Sequence, residues 1–433
     1  MKTDQTPATP TPSLTRRHFL KSSSIVVAGA SLASSGPFVL SGRAAPDAAI
    51  NVGLIGCGAR GTAAVQNALA AAPNVKTLAL ADLFPDRLDH CRAQLKRGDV
   101  TLRDDLCFSG FDAYQKLLAV SEVNYVILAA PPHFRPSHAR AAIDAGKHVF
   151  MEAPVAVDSP GVRTIMETGE VAKSKKLVIG AGLQRRFLPS YRETIQRLQD
   201  GAIDRLLVGR AFWNQGGLWL KPRLPGWTDS EWQLRNWPYF TWLSGDQIVE
   251  QLVHNLDIIN WVLKGHPTKA SGIGGRQVRT GPEYGNVYDH FNVEYEYPGG
   301  IRVFGACRQI EGGESNIGEA VIGATGVSNC RDSIQVRGEK AWSHADKDPD
   351  PFVREQTEVI AAIREEKPLN QASSAAESTL TAILGRMAAY SGHSVPWDTA
   401  LNSTVDLSPA KYEFGPLPVA EVALPGRDKI KYY

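Results

Sequence analysis

Three side chains that could carry acid–base chemistry stand close together in the segment GDQIVEQLVHNLDIINWVLKG, residues 245–265. Glu250, His254 and Asp257 are separated by four and then three residues, which predicts that they share one narrow face of an α-helix. Apolar residues occur all round this helix, so we expect it to be buried. Because a carboxylate one turn away orients a buried histidine and raises its basicity, we predict that His254 is a general base and Glu250 its partner, with Asp257 contacting the substrate.

The same pattern also fits a purely structural Glu–His pair that ties two helices together. A metal centre is disfavoured, because no further ligand run such as HExxH accompanies the pair. We therefore expect no metal site.

A glycine-rich turn near the start of the chain could bind a phosphate. The segment INVGLIGCGARG begins as an apolar strand-like run and continues with glycines at GxGxxG spacing. Gly56 permits a tight turn, Gly58 lets the backbone approach a pyrophosphate, and Gly61 lets the next helix pack on the strand. The pyrophosphate would lie on the helix N-terminus, beside Ala59 and Arg60, where free N–H groups and the helix dipole favour an anion.

An acidic residue after the second apolar run, VKTLALAD, indicates which dinucleotide fits. Asp82 stands 21 residues after Gly61, where a dinucleotide fold keeps the carboxylate that binds the ribose hydroxyls. A helix-capping or turn acid is the alternative. Since a carboxylate here repels a 2′-phosphate, we predict NAD as the cofactor, with NADP less favoured.

From residue 50 to about residue 182, strand-like and helix-like segments alternate, which predicts a parallel sheet with helices on both faces. Ligands of such sheets bind at the carboxyl ends of the strands. This rule adds Pro131 and His133, which follow the run YVILAA, and Glu152 and Ala153, at the end of HVFME, to the predicted cofactor site.

The second half of the chain has longer strand-like runs, and the alternation on both sides of residues 298–300 predicts a hairpin in an antiparallel sheet. Asp350 before a proline predicts a helix N-cap, and Ser374 with Glu377 predicts a capping box that opens a last helix. The proline-bearing segment 405–433 predicts an extended arm.

Six of the nine tryptophans lie between Trp213 and Trp242. Indole faces stack on the C–H faces of sugars, so this loop could be a substrate lid, with Trp237 as one contact. An aromatic cluster that pins the loop or an oligomer contact is an equal alternative.

The N-terminal segment TRRHFLK, followed by a weakly apolar run, resembles a twin-arginine (Tat) export signal. We predict that residues 1–45 are a signal peptide and that the protein is periplasmic or otherwise exported. A membrane anchor or a disordered basic tail is the alternative, but the run is too diluted with Gly and Ser for a spanning helix. We expect no membrane association of the mature chain.

The charge and the cysteine content of the chain argue against nucleic-acid binding and against a disulfide framework. A formal net charge of +2 offers no basic surplus for nucleic-acid binding. The five cysteines form no CxxC pair and are expected to be small buried residues.

Together these residues resemble the Gfo/Idh/MocA family of sugar and polyol oxidoreductases. The resemblance rests on the motifs already quoted and on GLIGCGARG, Asp82 with Arg87, the PPH turn, AGKHVFMEAPVAV, the QRRF stretch with Arg185 and Arg186, and the acid-x-x-x-His pattern. It implies an α/β fold: a Rossmann doubly wound parallel sheet, residues 46–183, followed by an α/β domain with an open-faced, largely antiparallel sheet, residues 184–433. It also implies hydride transfer between nicotinamide and a carbohydrate ring carbon. Glu250 and His254 fall on the catalytic acid and histidine, and Arg87, Arg185 and Arg186 are assigned to cofactor or substrate.

One departure affects the expected activity. The family's Glu-Lys-Pro motif reads Glu152-Ala153-Pro154 here, and a methyl group cannot stabilise an alkoxide. Three hypotheses remain: an exported NAD-dependent carbohydrate oxidoreductase, which we favour; a redox-neutral enzyme that cleaves or epimerises a sugar with recycled NAD; and a non-catalytic sugar-binding relative. We expect a tightly held cofactor, because a Tat substrate crosses the membrane folded, and a homo-oligomer.

Overall fold

The computed structural model describes residues 48–427 of the 433-residue chain. The predicted signal peptide and the last residues of the predicted arm lie outside this range.

The first half of the described chain forms a six-stranded parallel sheet in the order β3-β2-β1-β4-β5-β6. This is the strand order of a dinucleotide-binding Rossmann fold, as expected. Its strands and helices are β1 (Ile50–Ile55), α1 (Ala59–Ala71), β2 (Val75–Asp82), α2 (Pro85–Arg97), β3 (Cys107–Ser109), α3 (Ala113–Leu118), β4 (Tyr125–Leu128), α4 (Arg135–Asp144), β5 (His148–Met151), α5 (Ser159–Ser174) and β6 (Ile179–Ala181).

Most of these elements match the sequence pattern, because the central strands are continuous apolar runs buried on both faces. β3 and α3 were not predicted. β3 is a three-residue edge strand that is partly exposed, so it lacks the apolar run that marks the central strands.

The second half forms a nine-stranded sheet in the order β14-β13-β12-β11-β7-β10-β9-β8-β15. The pair β7 and β10 is parallel and every other pair is antiparallel, and the hairpin around residues 298–300 is confirmed. Its elements are α6 (Pro189–Gln199), β7 (Leu206–Gln215), α7 (Asp229–Arg235), α8 (Thr241–Ser244), α9 (Gln247–Glu250), α10 (Val253–Leu263), β8 (Lys269–Gly275), β9 (His290–Glu296), β10 (Arg302–Gln309), β11 (Asn316–Gly323), β12 (Gly326–Ser328), β13 (Ser333–Val336) and β14 (Trp342–Ser343), then α11 (Pro351–Arg364), α12 (Ala372–Ser391), β15 (Val395–Pro396) and α13 (Trp397–Leu401).

The single helix predicted over residues 245–265 is wrong: the segment forms two helices, α9 and α10, separated by Gln251 and Leu252. The Leu252 N–H donates to the Gln247 carbonyl five residues earlier, whereas the His254 N–H donates to Gln251 three residues earlier. The side chain of Gln251 is held by Gln309 of β10, whose Nε2 lies 2.6 Å from Gln251 Oε1. This tertiary contact coincides with the interruption of the helix. The spacing of residues in the sequence does not predict that interruption.

The two long C-terminal helices differ in how well their starts were predicted. Asp350 caps α11 as expected, accepting hydrogen bonds from the N–H groups of Phe352 and Val353. α12 begins at Ala372, so the predicted capping box at Ser374 is wrong, and the Ser374 hydroxyl donates to the Gln371 carbonyl inside the first turn. α11 packs on α1 and the first sheet, whereas α12 packs both on the second sheet and on α5 of the first half.

Within residues 48–427, no helix is both long enough and apolar enough to cross a membrane.

Candidate active site

A cavity of about 700 Å³ opens at the carboxyl edge of the first sheet and extends to α9 and α10 of the second half. Most of the predicted cofactor residues line it, together with Glu250, His254 and Trp237. The residues on its wall include Gly56, Gly58, Ala59, Arg60, Gly61, Asp82, Phe84, Arg87, Phe111, Pro131, Arg135, Glu152, Ala153, Trp213, Trp219, Lys221, Trp237, Glu250, His254 and Phe352.

The glycine-rich turn has the geometry that a phosphate-binding loop requires. Gly56 has φ +100°, and a Cβ there would lie 2.4 Å from the Ala130 backbone nitrogen. A Cβ at Gly61 would lie 1.9 Å from the Gly56 carbonyl oxygen. No side chain caps the N-terminus of α1 at Gly58. The first-turn N–H groups of α1 are therefore available to an anion, and the pyrophosphate of a dinucleotide fits this loop.

Asp82 closes the ribose side of the loop. Its Oδ2 accepts a hydrogen bond from Cys57 N at 2.7 Å and its Oδ1 accepts one from Phe84 N at 2.8 Å. Burial raises the pKa of this carboxyl, and the two N–H donors and Arg87 oppose that effect. Arg87 lines the same part of the cavity, and its Nε is buried without a hydrogen-bond partner. An acceptor from a bound nucleotide would satisfy it.

A strap from the second half, residues 216–242, covers this nucleotide end and contributes Trp219, Lys221 and Trp237 to the cavity wall. Arg235 fixes the strap to the start of α2: its two terminal nitrogens lie 2.9 and 3.0 Å from the Asp86 carboxylate oxygens, and its guanidinium lies 3.9 Å from the centre of the Phe84 ring. Other strap aromatics pack into a buried cluster outside the cavity. The aromatic-cluster alternative therefore describes part of the tryptophan-rich segment, and the substrate lid stays a prediction for the tryptophans that line the cavity.

The C-terminal arm runs along the strap without forming a helix or strand between residues 402 and 427. Gln233 Nε2 donates to the Leu417 carbonyl at 2.6 Å, and the Phe414 ring lies 5.1 Å from Phe111 and 5.9 Å from Phe84. These two phenylalanines also line the cavity. The arm therefore supports the nucleotide end from outside.

His133, predicted as a cofactor contact, faces this arm. Its Nε2 lies 2.7 Å from Tyr412 Oη, its ring packs against Trp242, and it is not part of the cavity wall. Burial lowers its pKa to about 4. The short helical turn after Pro131 rotates His133 away, while Pro131 itself lines the cavity.

At the opposite end of the cavity, His254 lies among aromatic and cationic side chains. Its ring centre is 5.8 Å from that of Trp213, and its Nδ1 is buried with no hydrogen-bond partner. Burial, together with the charges of Arg185, Arg60 and Arg135, lowers its pKa to about 3. The ring is therefore neutral at physiological pH.

Glu250 lies on the same wall, but the predicted orienting contact is absent. Among the described residues the structure contains no hydrogen bond between Glu250 and His254, because the interruption between α9 and α10 alters their four-residue relationship. Burial raises the pKa of Glu250 to about 7, and Arg135 opposes this effect.

Glu152 and Arg60, both predicted at the cofactor site, bind each other. Arg60 Nε donates to Glu152 Oε1 at 2.9 Å, and its Nη2 lies 3.3 Å from the buried Glu355 of α11. Its guanidinium also lies 4.4 Å from the Phe352 ring centre. Arg60 thus links the glycine-rich turn to α11.

The other predicted substrate contacts do not reach the cavity. Asp257 is 1% exposed and accepts hydrogen bonds from Arg186 and from Ser378 Oγ, and Arg185 pairs with the buried Glu319. Their charges are already satisfied inside the second half, and none of the three lines the cavity. The structure therefore corrects their predicted position.

Sequence reasoning missed Arg135, Trp213 and Phe352. Arg135 follows the PPH turn at the carboxyl end of β4, so the strand-end rule could have found it. Phe352 is more than 290 residues from Arg60, and no local pattern indicates that contact. Within the described residues, no group of three metal-ligating side chains forms a metal site.

Comparison with known proteins agrees with this architecture. Residues 50–183 match the family described as oxidoreductase family, NAD-binding Rossmann fold, and residues 191–343 match the GFO/IDH/MocA C-terminal domain. An inositol 2-dehydrogenase from Acidothermus cellulolyticus is 25% identical over 240 residues, covering 55% of this chain but 61% of that relative.

A glycosyl hydrolase family 109 protein from Solibacter usitatus is 30% identical over 165 residues, 37% of this chain and 36% of that protein. Scyllo-inositol dehydrogenase from Lactobacillus casei, solved with bound NAD(H) and scyllo-inositol, superposes with a TM-score of 0.63 at 17% identity over 81% of this chain and 99% of that structure. The last likeness concerns the fold. With two domain matches in order over most of its described length, the chain belongs to the Gfo/Idh/MocA oxidoreductase family and carries that family's NAD-binding Rossmann domain.

Proposed function

We propose that this protein is an NAD-dependent oxidoreductase that transfers a hydride between nicotinamide and a carbon of a polyol or carbohydrate. The observation that carries the proposal is the continuity of one cavity from the glycine-rich turn and Asp82 to the wall that contains Glu250, His254 and Arg135. A dinucleotide and a small alcohol could therefore occupy one continuous cavity.

The cofactor, when bound, supplies two-electron oxidation by accepting a hydride. The protein groups have separate tasks. The first turn of α1 binds the pyrophosphate, and Asp82 binds the ribose hydroxyls and disfavours a 2′-phosphate. The wall around Glu250 and His254 binds the alcohol and takes its proton.

The named relatives support a polyhydroxylated substrate. One is called an inositol 2-dehydrogenase, and a structural neighbour contains scyllo-inositol. Trp213, Trp219 and Trp237 on the cavity wall offer flat faces for the C–H faces of such a ring.

A redox-neutral reaction is the second candidate. Ala153 lies on the cavity wall where it can neither donate a hydrogen bond nor carry charge, and one relative is called a glycosyl hydrolase family 109 protein. In this alternative the hydride returns to the sugar after bond cleavage or epimerisation. A non-catalytic sugar-binding protein is the third possibility.

Export by the Tat pathway and assembly into a homo-oligomer belong to the same proposal. Export rests on the sequence of residues 1–45. The oligomer is supported by large apolar side chains exposed on strands of the second sheet, namely Ile273, Phe304, Ile317, Ile322 and Val327.

The experiment is to incubate the purified protein with NAD and a panel of inositols, sugars and glycosides while recording absorbance at 340 nm and product composition. Accumulating NADH with a ketone product supports the dehydrogenase. Glycoside cleavage without net NADH supports the redox-neutral reaction. Binding without any product would leave only the non-catalytic function.

A further inference from the structure

We propose that Glu250, and not His254, accepts the substrate's proton, and that Arg135 binds the reacting oxygen beside it. This inference rests on the proposed function and revises the roles expected from the sequence.

The surroundings of His254 are unfavourable for a proton acceptor. Three arginines, Arg60, Arg135 and Arg185, raise the positive potential at its ring, and among residues 48–427 no carboxylate is hydrogen-bonded to a ring nitrogen. A protonated imidazole would therefore add a buried cation that, unlike Arg60 and Arg185, has no carboxylate partner. The neutral ring remains suited to exchanging hydrogen bonds with substrate hydroxyls.

The surroundings of Glu250, in contrast, favour a proton acceptor. Its carboxylate lines the cavity and receives no hydrogen bond from the protein within residues 48–427. Arg135, at the start of α4, lines the same cavity, and its charge acts on the Glu250 carboxylate as well as on Glu152. A cavity-lining carboxylate with free lone pairs can accept a proton from a bound alcohol.

Arg135 is the cation left free to bind the substrate oxygen. It is 5% exposed, its Nη1 donates to the Pro154 carbonyl next to Ala153, and its Nε has no partner. Arg60, the other arginine near this wall, is occupied by Glu152 and Glu355. A fixed guanidinium stabilises the negative charge that develops on an alcohol oxygen, which the Ala153 methyl group cannot do.

The resulting step is balanced. The substrate's C–H hydrogen leaves with two electrons, which the cofactor takes, and the O–H proton goes to the Glu250 carboxylate. The freed electron pair forms the C=O bond, and the product oxygen stays next to Arg135. In the reverse direction, protonated Glu250 returns the proton to the alkoxide.

A titration tests the pair without requiring a substrate. The protein is labelled with glutamate carrying carbon-13 in the side-chain carboxyl, and Glu250→Gln identifies the signal of residue 250. We expect wild-type Glu250 to titrate near neutral pH, Arg135→Gln to move the midpoint upward by roughly one pH unit, and Arg135→Lys to move it much less. Arg364→Gln, which removes a buried arginine bound to the carbonyls of Ala48 and Pro73, is the control and should leave the midpoint in place. An unchanged midpoint in Arg135→Gln would overturn the inference.

Kinetic measurements with a substrate from the panel test which residue accepts the proton and which residue binds the reacting oxygen. Glu250→Gln should lower kcat by roughly a hundred-fold or more, whereas His254→Gln should lower it by less than about tenfold while raising KM. Arg135→Gln should lower kcat and shift the pH profile, and Arg135→Lys should restore part of both. The reverse ranking of Glu250→Gln and His254→Gln would refute the assignment. A wild-type protein that oxidises nothing would refute the proposed function, while the titration would still decide whether Arg135 and Glu250 act as a pair.

Discussion

Asp82 has two tasks, because it holds the glycine-rich turn through Cys57 N and also faces the nucleotide cavity. We predict that Asp82→Ala raises the Kd for NAD by about tenfold or more and the Kd for NADP much less, since the lost charged hydrogen bonds serve the free ribose hydroxyls and the lost charge repels a 2′-phosphate. Calorimetric titration of both cofactors measures this. Asp89→Ala, an exposed acid on α2, is the matched control, and equal losses for NAD and NADP would contradict the assignment.

Glu250 should also leave a signature in the pH dependence of stability. Its pKa is about 7 in the folded protein against an ordinary value of 4.5. Between these values the folded state keeps a proton that the unfolded state releases, so this residue's contribution to stability is lost as pH rises through about 7. We predict that Glu250→Gln is more stable than the wild type at pH 8 by on the order of 1–3 kcal/mol and similar to it at pH 4.5.

Urea unfolding of the cofactor-free proteins at several pH values measures this difference. Glu339→Gln, at an exposed glutamate, controls for the loss of one carboxylate. A stability difference that stays constant across the pH range would contradict the raised pKa of Glu250.

The predicted residues that line the cavity are mainly those whose position is set by the local chain, and their contacts with NAD stay a prediction. Gly56, Gly58 and Gly61 follow from the turn between β1 and α1, and Asp82 follows from the end of β2. Asp257 does not reach the cavity for the opposite reason, since its partners Arg186 and Ser378 are 71 and 121 residues away and together bind its carboxylate.

Among the elements, the interruption between α9 and α10 has the largest effect on the interpretation of the site. An unbroken helix would stack Glu250 under His254, whereas the change of pitch leaves each in a different electrostatic environment. The spacing of residues predicts a shared helix face only if the helix continues without interruption between them. Here the contact between Gln251 and Gln309 of β10 accompanies the interruption, and such contacts are not visible in the pattern of residues 245–265.

α11 shows the converse, because its start is encoded locally. We predict that Asp350→Ala lowers the free energy of unfolding by about 1 kcal/mol, since the side chain accepts two first-turn N–H groups, and that Asp350→Asn restores most of it. Urea unfolding measures both, with the exposed Asp346→Ala as the control. If Asp350→Ala equals the wild type in stability, the cap contributes nothing.

The packing of α11 on α1 joins a late helix of the chain to the first sheet, and this cap does not predict it.

At the scale of the molecule, the nucleotide end of the cavity is built from three distant parts of the chain. The start of α2 supplies Phe84 and Asp86, the strap supplies Arg235, and the arm supplies Phe414. The sequence predicted each part as an element but not their meeting, because contacts across more than a hundred residues leave no periodic signal. These contacts hold the strap and the arm beside the part of the cavity that Phe84 and Phe111 line.

The contacts of the strap lead to a prediction about cofactor retention. We expect the protein to purify with nicotinamide dinucleotide bound and to turn over without added NAD, since Arg235 holds the strap against the nucleotide end of the cavity. Arg235→Ala removes both the ion pair with Asp86 and the stacking on Phe84, so it should speed NAD release by about tenfold or more. Arg223→Ala is the matched control, because Arg223 lies on the same strap but pairs with Asp229 of that strap.

Bound cofactor is measured after denaturation of desalted protein, and release is followed by the transfer of freed NAD to a scavenging dehydrogenase. A wild-type protein that purifies empty and reduces added NAD in proportion to its concentration would indicate a freely dissociating cofactor, and a strap that does not retain it.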